Sequence, residues 1–525
     1  MTPRLRSGRT SRVRAVLAGA VVLALSTPLV ACSTANTAGG GSGEGGTLTF
    51  GALAAPPTLN PATGDPAYNP LYQWAYEPLV VLEPDGSFSP GLATEFGYTD
   101  DENKIYELTL REGVKFSDGA PLDAEAVKTY LEYLKKQSSS PGLLVQSIDS
   151  IEVLTENSLR ISLNRSDPGL SFYFAQAFGA GDIASPKAVA KPASLNTGTA
   201  GAGPYMIDPE QTVANERYTY VPNPHYYDPE AVHYDKVVVQ IVANASSMVQ
   251  AMRAGEIQAA QGDATTLEAA AGAGLEVVSA PQALTGLNLM DRDGKASKAL
   301  ADSQVRRALN LAVDREAIAK GLYGDADLAL SQYALPGTPG YDAALDDEVA
   351  YDPAEAKRLL AAAGYPDGFT ISAVTAPLAG LDKMTQAIAG DLAEVGVTLE
   401  VTSKPTANDY FTAMTSGDHP TAALGYGLYN ANSLYGGFVA EQGPFNPFHH
   451  KDGQLDKLYA EYFATPTDQA DALEKKINAR LVDQGWSIPV VGAPLAWYVA
   501  DGYAGLEATT QNAAVPRLTE LHPEG

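Results

Sequence analysis

Residues 76–128 read YEPLVVLEPDGSFSPGLATEFGYTDDENKIYELTLREGVKFSDGAPLDAEAVK, and the reading of the fold starts from this stretch. Tyr76–Leu82 is an apolar run that ends in a Pro84-Asp85-Gly86 turn. Leu92–Phe96 leads into an acidic turn at Asp100–Glu102. Tyr106, Leu108 and Leu110 alternate with Glu107 and Thr109, which predicts a half-buried strand. Val114 and Phe116 precede a tight Asp118-Gly119 turn. A helix is expected from Asp123. That residue is a good N-cap, and Glu125 suits the positive first turn. Val127, Tyr130, Leu131 and Leu134 fall on one face.

The order of these pieces resembles the extracytoplasmic solute-binding proteins of ABC importers, family 5, the peptide/nickel/opine class. The matching residues are Tyr76-Glu77-Pro78-Leu79, Asp85-Gly86, Pro90-Gly91-Leu92-Ala93 and Leu110-Arg111-Glu112-Gly113-Val114-Lys115-Phe116-Ser117-Asp118-Gly119. Many fixed offsets agree at once, so the match is specific.

Upstream, Arg4, Arg6, Arg9, Arg12 and Arg14 form a basic lead to a short apolar core at Ala15–Leu25. Residues 1–31 are expected to be a secretory signal, too short for an ordinary membrane span. Leu29-Val30-Ala31-Cys32 looks like a bacterial lipobox, which implies cleavage before Cys32 and lipidation of its thiol. Cys32 is the one cysteine in the chain, so no internal disulfide competes for it. No adjacent Arg-Arg pair stands in the lead, which argues against a twin-arginine signal. Residues 32–46, rich in Gly, Ser, Thr and Ala, are expected to be the anchor site and a flexible tether.

The remaining body of about 480 residues is too long for one core. Net charge is −27, or about −32 without the leader arginines. That argues against nucleic-acid binding, which wants a basic face, and against adsorption on anionic lipid. With 27 Tyr against 3 Trp, aromatic contacts are mostly phenolic.

Thr47–Leu53 alternates as a first strand, and the loop Ala55–Pro61 resembles the family's cleft-bordering segment. Ile148–Val153 and Leu159–Leu163 flank Glu156-Asn157 as a hairpin. Ala200–Tyr205 resembles the family's glycine turn; without a closing Gly-Lys-Ser/Thr it is not a phosphate loop. Asp235–Val242 reads as a strand, and Met248–Met252 as a helix stopped by Gly255. Leu284–Met290 reads as a strand crossing between lobes. In Ser303–Ala319, Val305, Ala308, Leu309 and Ala312 make one face and Asp314 caps a further turn. Arg306 and Arg307 there admit ligand contact or internal pairing, the latter favoured. Asp352, Pro353 and Glu355 form a capping-box-like start, and Gly364 and Pro366 the stop. Met384, Ile388, Leu392 and Val395 predict a helix before a Val397–Val401 strand. A last long helix is expected over Thr467–Leu481, with Ile488–Val491 returning as a strand. Alternating strands and helices predict α/β lobes.

The resemblance implies an α/β, two-lobed, type II periplasmic-binding-protein-like fold. It has an inserted subdomain in the first lobe and two interlobe crossings, near Leu284–Gly286 and Trp486–Pro489. The expected division is 47–76, lobe I; 77–199, inserted subdomain; 200–283, lobe I again; 284–488, lobe II; 489–525, closing lobe I. It implies a ligand held between lobes that close by hinging.

Catalytic signatures are missing: no Gly-x-Ser-x-Gly, no Ser-x-x-Lys and no His-Glu-x-x-His. His449-His450 is the one adjacent histidine pair, expected in a loop rather than on a metal, and neither metal nor cofactor is expected. The reading is therefore not an enzyme but a monomeric, lipid-anchored carrier on the outer face of the cell membrane. It captures a peptide or similar polar solute and passes it to ABC permease and ATPase subunits. A sugar-like ligand, a secreted lipoprotein enzyme and a sensor reusing the fold stay open as alternatives.

Ligand-contacting residues are expected at Thr58, Asn60, Tyr205, Thr285, Tyr426, Gly427, Tyr429, Asn430, Asn432 and Trp486. Peptide-binding relatives place an aspartate in a Gly-Trp-x-x-Asp-like segment. The matching Gly425–Asn432 here has Tyr429 in that place, and the next carboxylate is Glu441. A neutral polar lining follows, unless an acid arrives from elsewhere in the fold.

Overall fold

Local turn chemistry builds the inserted subdomain. Val80–Leu82 pairs with Phe88–Pro90 across a turn in which Asp85 Oδ1 accepts the Ser87 N–H at 2.9 Å. Strands Ala93–Tyr98, Ile105–Leu110, Ser158–Leu163 and Ile148–Thr155 then form a four-stranded antiparallel sheet in that order. The Ala124–Leu134 helix starts where expected: Asp123 Oδ1 accepts the Ala126 N–H at 2.8 Å. Its Val127, Tyr130, Leu131 and Leu134 are buried, the three aliphatic side chains each contributing about 1.5–3 kcal/mol. Asp123→Ala should lower stability by about 1 kcal/mol, seen as a lower urea midpoint at unchanged slope. In this computed structural model the described residues are 45–378, 380–427, 431–466 and 469–524. The signal, Cys32 and nearly all of the tether lie outside them, as do Tyr429 and Asn430.

A ten-stranded sheet runs through the body. Its order is Val397–Ser403, Phe369–Thr375, Thr421–Gly427, Glu276–Leu289, Ser487–Val499, Ala259–Gln261, Thr47–Ala52, Lys236–Ile241, Arg217–Pro222 and Tyr205–Ile207. Glu276–Leu289 and Ser487–Val499 pair antiparallel along nearly their whole length. They join two halves with separate cores. Trp497 and Val499 pack with Leu48, Phe50, Val237 and Val239 in lobe I. Ile488, Val490 and Val491 pack with Leu309, Ile371 and Ile388 in lobe II. The two-lobed α/β fold is thus carried by two shared strands.

Both crossings lie on the expected strands, the first beside the expected Leu284–Gly286 and the second further along than Trp486–Pro489. Core membership changes between Val278 and Leu284 and between Val491 and Leu495, with register shifts between Pro281 and Ala283 and between Thr285 and Gly286. The expected Trp486–Pro489 point is instead inside lobe II. Strands buried on both faces look alike in either lobe, so the sequence pattern carries no mark of the changeover.

The helices of lobe II keep their caps. Asp314 accepts from the Ala317 N–H at 2.9 Å and Gly324 ends the Arg315–Tyr323 helix at φ 80°. Asp352 accepts from the Glu355 N–H at 2.9 Å. Glu355 itself pairs with Arg358 at 2.6 Å rather than reaching back, so the capping box is only half made. Arg306 takes its internal reading: it is 3 % exposed and donates to the carbonyls of Gln484 and Leu300. The last long helix runs over Asp471–Asp483, later than expected, with Leu473, Ile477 and Leu481 buried. Among the described residues no helix is long and apolar enough to cross a membrane.

Candidate ligand-binding cleft

The Ser158–Leu163 strand runs out into Arg165-Ser166-Asp167-Pro168-Gly169, a corner of the inserted subdomain that meets lobe II. Asp167 Oδ1 accepts the Gly169 N–H at 3.2 Å, which folds the corner back on itself. The Tyr98 hydroxyl donates to the Asp167 carbonyl and accepts the Leu170 N–H at 3.1 Å. From lobe II, Asn432 Nδ2 donates to Asp167 Oδ1 at 3.1 Å and to the Tyr173 hydroxyl. Ser166 donates to the Phe463 carbonyl, and Asn103 Nδ2 to the Thr465 carbonyl at 3.0 Å. On another edge, Thr510 and Gln511 donate to the Pro336 and Gly337 carbonyls at 2.8 and 3.0 Å. The lobes are therefore clasped by neutral and singly charged hydrogen bonds that can break and re-form. Removing the amide in Asn432→Ala should lower stability by about 1–3 kcal/mol, measured by urea denaturation, because Asp167 then lacks a buried donor.

Between the lobes lies a cavity of about 730 Å³. Lobe I lines it with Asp65, Asn69, Arg165, Asp167, Tyr173 and Trp497. Lobe II supplies Tyr426, Asn432, Ser433, Gly436 and Gly437, and Gln282 stands at the crossing. The Trp497 indole N–H is used internally, donating to the Ala514 carbonyl at 2.8 Å. Tyr426 is held by its hydroxyl, which donates to the Ser433 carbonyl at 2.7 Å. Its ring makes edge contacts at 4.9 and 5.0 Å with the stacked pair Phe438 and Phe445. Burial pushes the Asp167 carboxyl up. Hydrogen bonds from Ser147 and Gly169 and the Arg165 charge act the other way.

A second, smaller space of about 280 Å³ adjoins it, again between lobes. Phe172 lines both, and the Ala431–Leu434 turn lies between them. Its walls are largely apolar, among them Phe88, Leu335, Leu434 and Ile477, with Glu474 set among them. Burial lifts the Glu474 carboxyl to about 7, against hydrogen bonding with the Tyr462 hydroxyl.

Of the residues expected to contact ligand, the structure brings Tyr426 and Asn432 to the larger cavity. Gly427 lies opposite Ala283 at the crossing. Tyr429 and Asn430 lie outside the described residues, and the remaining five have internal partners. Thr58 bonds the Asn196 side chain, and Asn60, 2 % exposed, donates to the Tyr133 hydroxyl. Tyr205, 2 % exposed, accepts the Tyr234 N–H, and Thr285 donates to the Val491 carbonyl. Trp486 is fully buried beneath the Arg292 guanidinium, 3.9 Å away. Asn60, Tyr205, Thr285 and Trp486 turn into the interior and Thr58 stays half-buried on its own loop, none of them lining the cavity: a loop or crossing residue reads the same in sequence whichever way its side chain turns. Of the two linings left open, the second is present: acids arrive from elsewhere in the fold, Asp65 and Asp167 from lobe I. The Asp167-Pro168-Gly169 turn after a hairpin was the available signal for that corner.

His449 and His450 sit in a loop, as expected. His450 Nδ1 is 2.7 Å from Asp293 Oδ1 and His449 Nδ1 is 2.8 Å from the Glu441 carbonyl.

Two lobes sharing two strands around an interlobe cavity define a type II periplasmic binding protein. The chain matches the family described as bacterial extracellular solute-binding proteins, family 5 Middle, over residues 87–440, and it belongs to that family. It is 28% identical over 432 residues to the glutathione-binding protein GsiB of Salmonella paratyphi A, covering 77% of this chain and 76% of that one. The solved structure of HbpA2 from Haemophilus parasuis superposes with a TM-score of 0.77 at 20% identity, over 91% of this chain and 100% of that one. The binding protein DppA from Helicobacter pylori, in complex with the peptide STSA, gives a TM-score of 0.73 at 22% identity, over 92% and 99%.

Proposed function

We propose that the protein is the lipid-anchored capture component of an ABC importer, holding a peptide or similar small polar solute in the interlobe cavity. The observation that carries this reading is the cavity itself. Both lobes line it, lobe I with the larger share; Trp497 and Tyr426 are among its walls, and the Asp167–Asn432 hydrogen bond spans the lobes beside it. Tyr426 and Asn432 are the residues of lobe II that would contact the solute, and Asp167, Arg165 and Asn69 those of lobe I. Release of the interlobe hydrogen bonds opens the cavity, and solute bridging both walls favours closure. Family membership supports delivery to permease and ATPase subunits.

Saturating solute should make the particle more compact by small-angle scattering. It should also stabilise it by roughly 2.7 kcal/mol at a hundredfold excess over the dissociation constant. Solute that binds with an unchanged radius would count against closure. The anchor reading rests on Leu29-Val30-Ala31-Cys32. Cys32→Ala should leave the protein unprocessed or released from membranes, whereas normal maturation and membrane fractionation of that variant would refute it.

A further inference from the structure

We propose that Asn103 and Ser166 form an interlobe latch, two side chains of lobe I that hold the closed form without touching solute. This deepens the carrier reading and rests on the hinging that it requires.

The latch fastens on a helix end. The Gly453–Phe463 helix of lobe II stops at Ala464, and the last carbonyls of a helix find no partner within it. Lobe II satisfies two of them itself. The Thr465 hydroxyl donates to the Glu461 carbonyl at 2.8 Å, and the Thr465 N–H to the Tyr462 carbonyl at 3.1 Å. Two further acceptors are met from across the cleft. The Ser166 hydroxyl donates to the Phe463 carbonyl, and Asn103 Nδ2 to the Thr465 carbonyl at 3.0 Å. Lobe I thus completes the cap of a lobe II helix, and it does so only while the lobes are together.

Asn103 is the pin of this latch. It is 2 % exposed, and its backbone lies in the left-handed region at φ 51°. Asparagine tolerates that region better than most residues with a β-carbon. Asp100 fixes the turn around it, Oδ1 accepting the Lys104 and Ile105 N–H groups at 3.0 and 2.9 Å. The Asn103 carbonyl accepts the Asp167 N–H at 3.2 Å. One residue therefore ties lobe II by its amide and the Arg165–Gly169 corner by its backbone. That corner turns Asp167 to the larger space and Pro168 to the smaller, whereas Asn103 and Ser166 line neither. The latch stands behind the cavity walls. Its hydrogen bonds form on closure with or without solute, and they set apparent affinity through the closed fraction.

The test reads the distance between lobes. Spin labels go on Asp149→Cys in lobe I and Lys357→Cys in lobe II, both exposed positions. The background is Cys32→Ala, dialysed free of solute and checked by native mass spectrometry. With the latch intact, a short-distance population should be present with no solute added. Asn103→Gly keeps the left-handed backbone and drops the amide. That change and Ser166→Ala should each lower the closed-to-open ratio by about three- to tenfold. Asn103→Asp, which sets an acceptor against the Thr465 carbonyl, should lower it further. Ser166→Thr keeps the hydroxyl and should keep the ratio. Urea midpoints of each variant report folding. A long distance alone with the latch intact, or a ratio unchanged in Asn103→Gly, Asn103→Asp and Ser166→Ala, overturns the latch and leaves the carrier reading standing. The carrier reading fails separately, if the unsubstituted protein purified from its host never carries a bound mass.

Discussion

Asp182→Asn should stabilise the protein at pH 7 by an amount on the order of 4 kcal/mol, taking about 1.4 kcal/mol per pKa unit. Asp182 is 3 % exposed, and among the described residues no donor hydrogen-bonds its carboxylate. Burial alone raises its carboxyl from 3.8 to about 8. The phenols of Tyr72, Tyr76 and Tyr130 lie close enough to feel its charge, and the Tyr130 hydroxyl is itself buried without a partner. The sign follows from proton counting. Between about pH 4 and pH 8 the folded chain keeps a proton that the unfolded chain has lost. The stability associated with the protonated group is complete below the unfolded value and is lost as pH rises through the folded value. Wild type should therefore weaken steadily from pH 4.5 to pH 8 in urea melts. The asparagine variant, shaped like the protonated acid, should lose the Asp182 share of that slope and keep the part set by Glu474 and the other raised carboxyls. Parallel curves for the two proteins at pH 4.5, 6 and 8 would show that Asp182 ionises freely in the folded state.

Gly368→Ala should destabilise by about 3 kcal/mol or more, and Gly364→Ala by about 1–2 kcal/mol. Both glycines have positive φ, 76° and 94°. A Cβ at 364 would meet open space, whereas one at 368 would stand 1.8 Å from the Gly396 carbonyl oxygen. That oxygen is backbone and cannot swing away. Gly368 and Gly396 sit at the mouths of neighbouring parallel strands, where Phe369 faces Val397. Separating the two loops would pull that register apart at its first pair. Urea midpoints for the two variants measure the difference. A Gly368→Ala loss no larger than the Gly364→Ala loss would mean that the loops can part without strain.

What the sequence disclosed was what neighbouring residues decide between themselves. Asp123, Asp314 and Asp352 cap the helices they were expected to cap, because a cap bond spans only three residues. The hairpin at Ile148–Leu163 and the stop at Gly364 are of the same kind. Family-wide offsets then supplied the two-lobed architecture that no local pattern contains. The cleft was harder to read because it is assembled across great sequence distances. Asn432 and Asp167, which hydrogen-bond across the lobes, are 265 positions apart. Tyr426 and Asn432, expected at the cleft, do line the larger cavity, because they follow one strand at the lobe boundary. Asp65, Asn69 and Arg165 were missed because a polar loop residue gives no sign of which lobe it will face. Trp486 failed in the opposite sense. A large aromatic beside a crossing suggests a platform for ligand, but Arg292 covers its face and the core takes the rest.

The central claim is that the larger interlobe cavity holds the transported solute. Gly436 lines that cavity, and a Cβ there would meet nothing within 4 Å. A Gly436→Trp side chain can therefore occupy the space without disturbing the backbone. Native mass spectrometry of protein purified without unfolding tests the claim. Wild type should carry a small non-covalent mass from its host, and Gly436→Trp should carry none while its unfolding midpoint matches that of ligand-stripped wild type. The same mass retained in equal amount by the tryptophan variant would place the solute elsewhere and contradict the account.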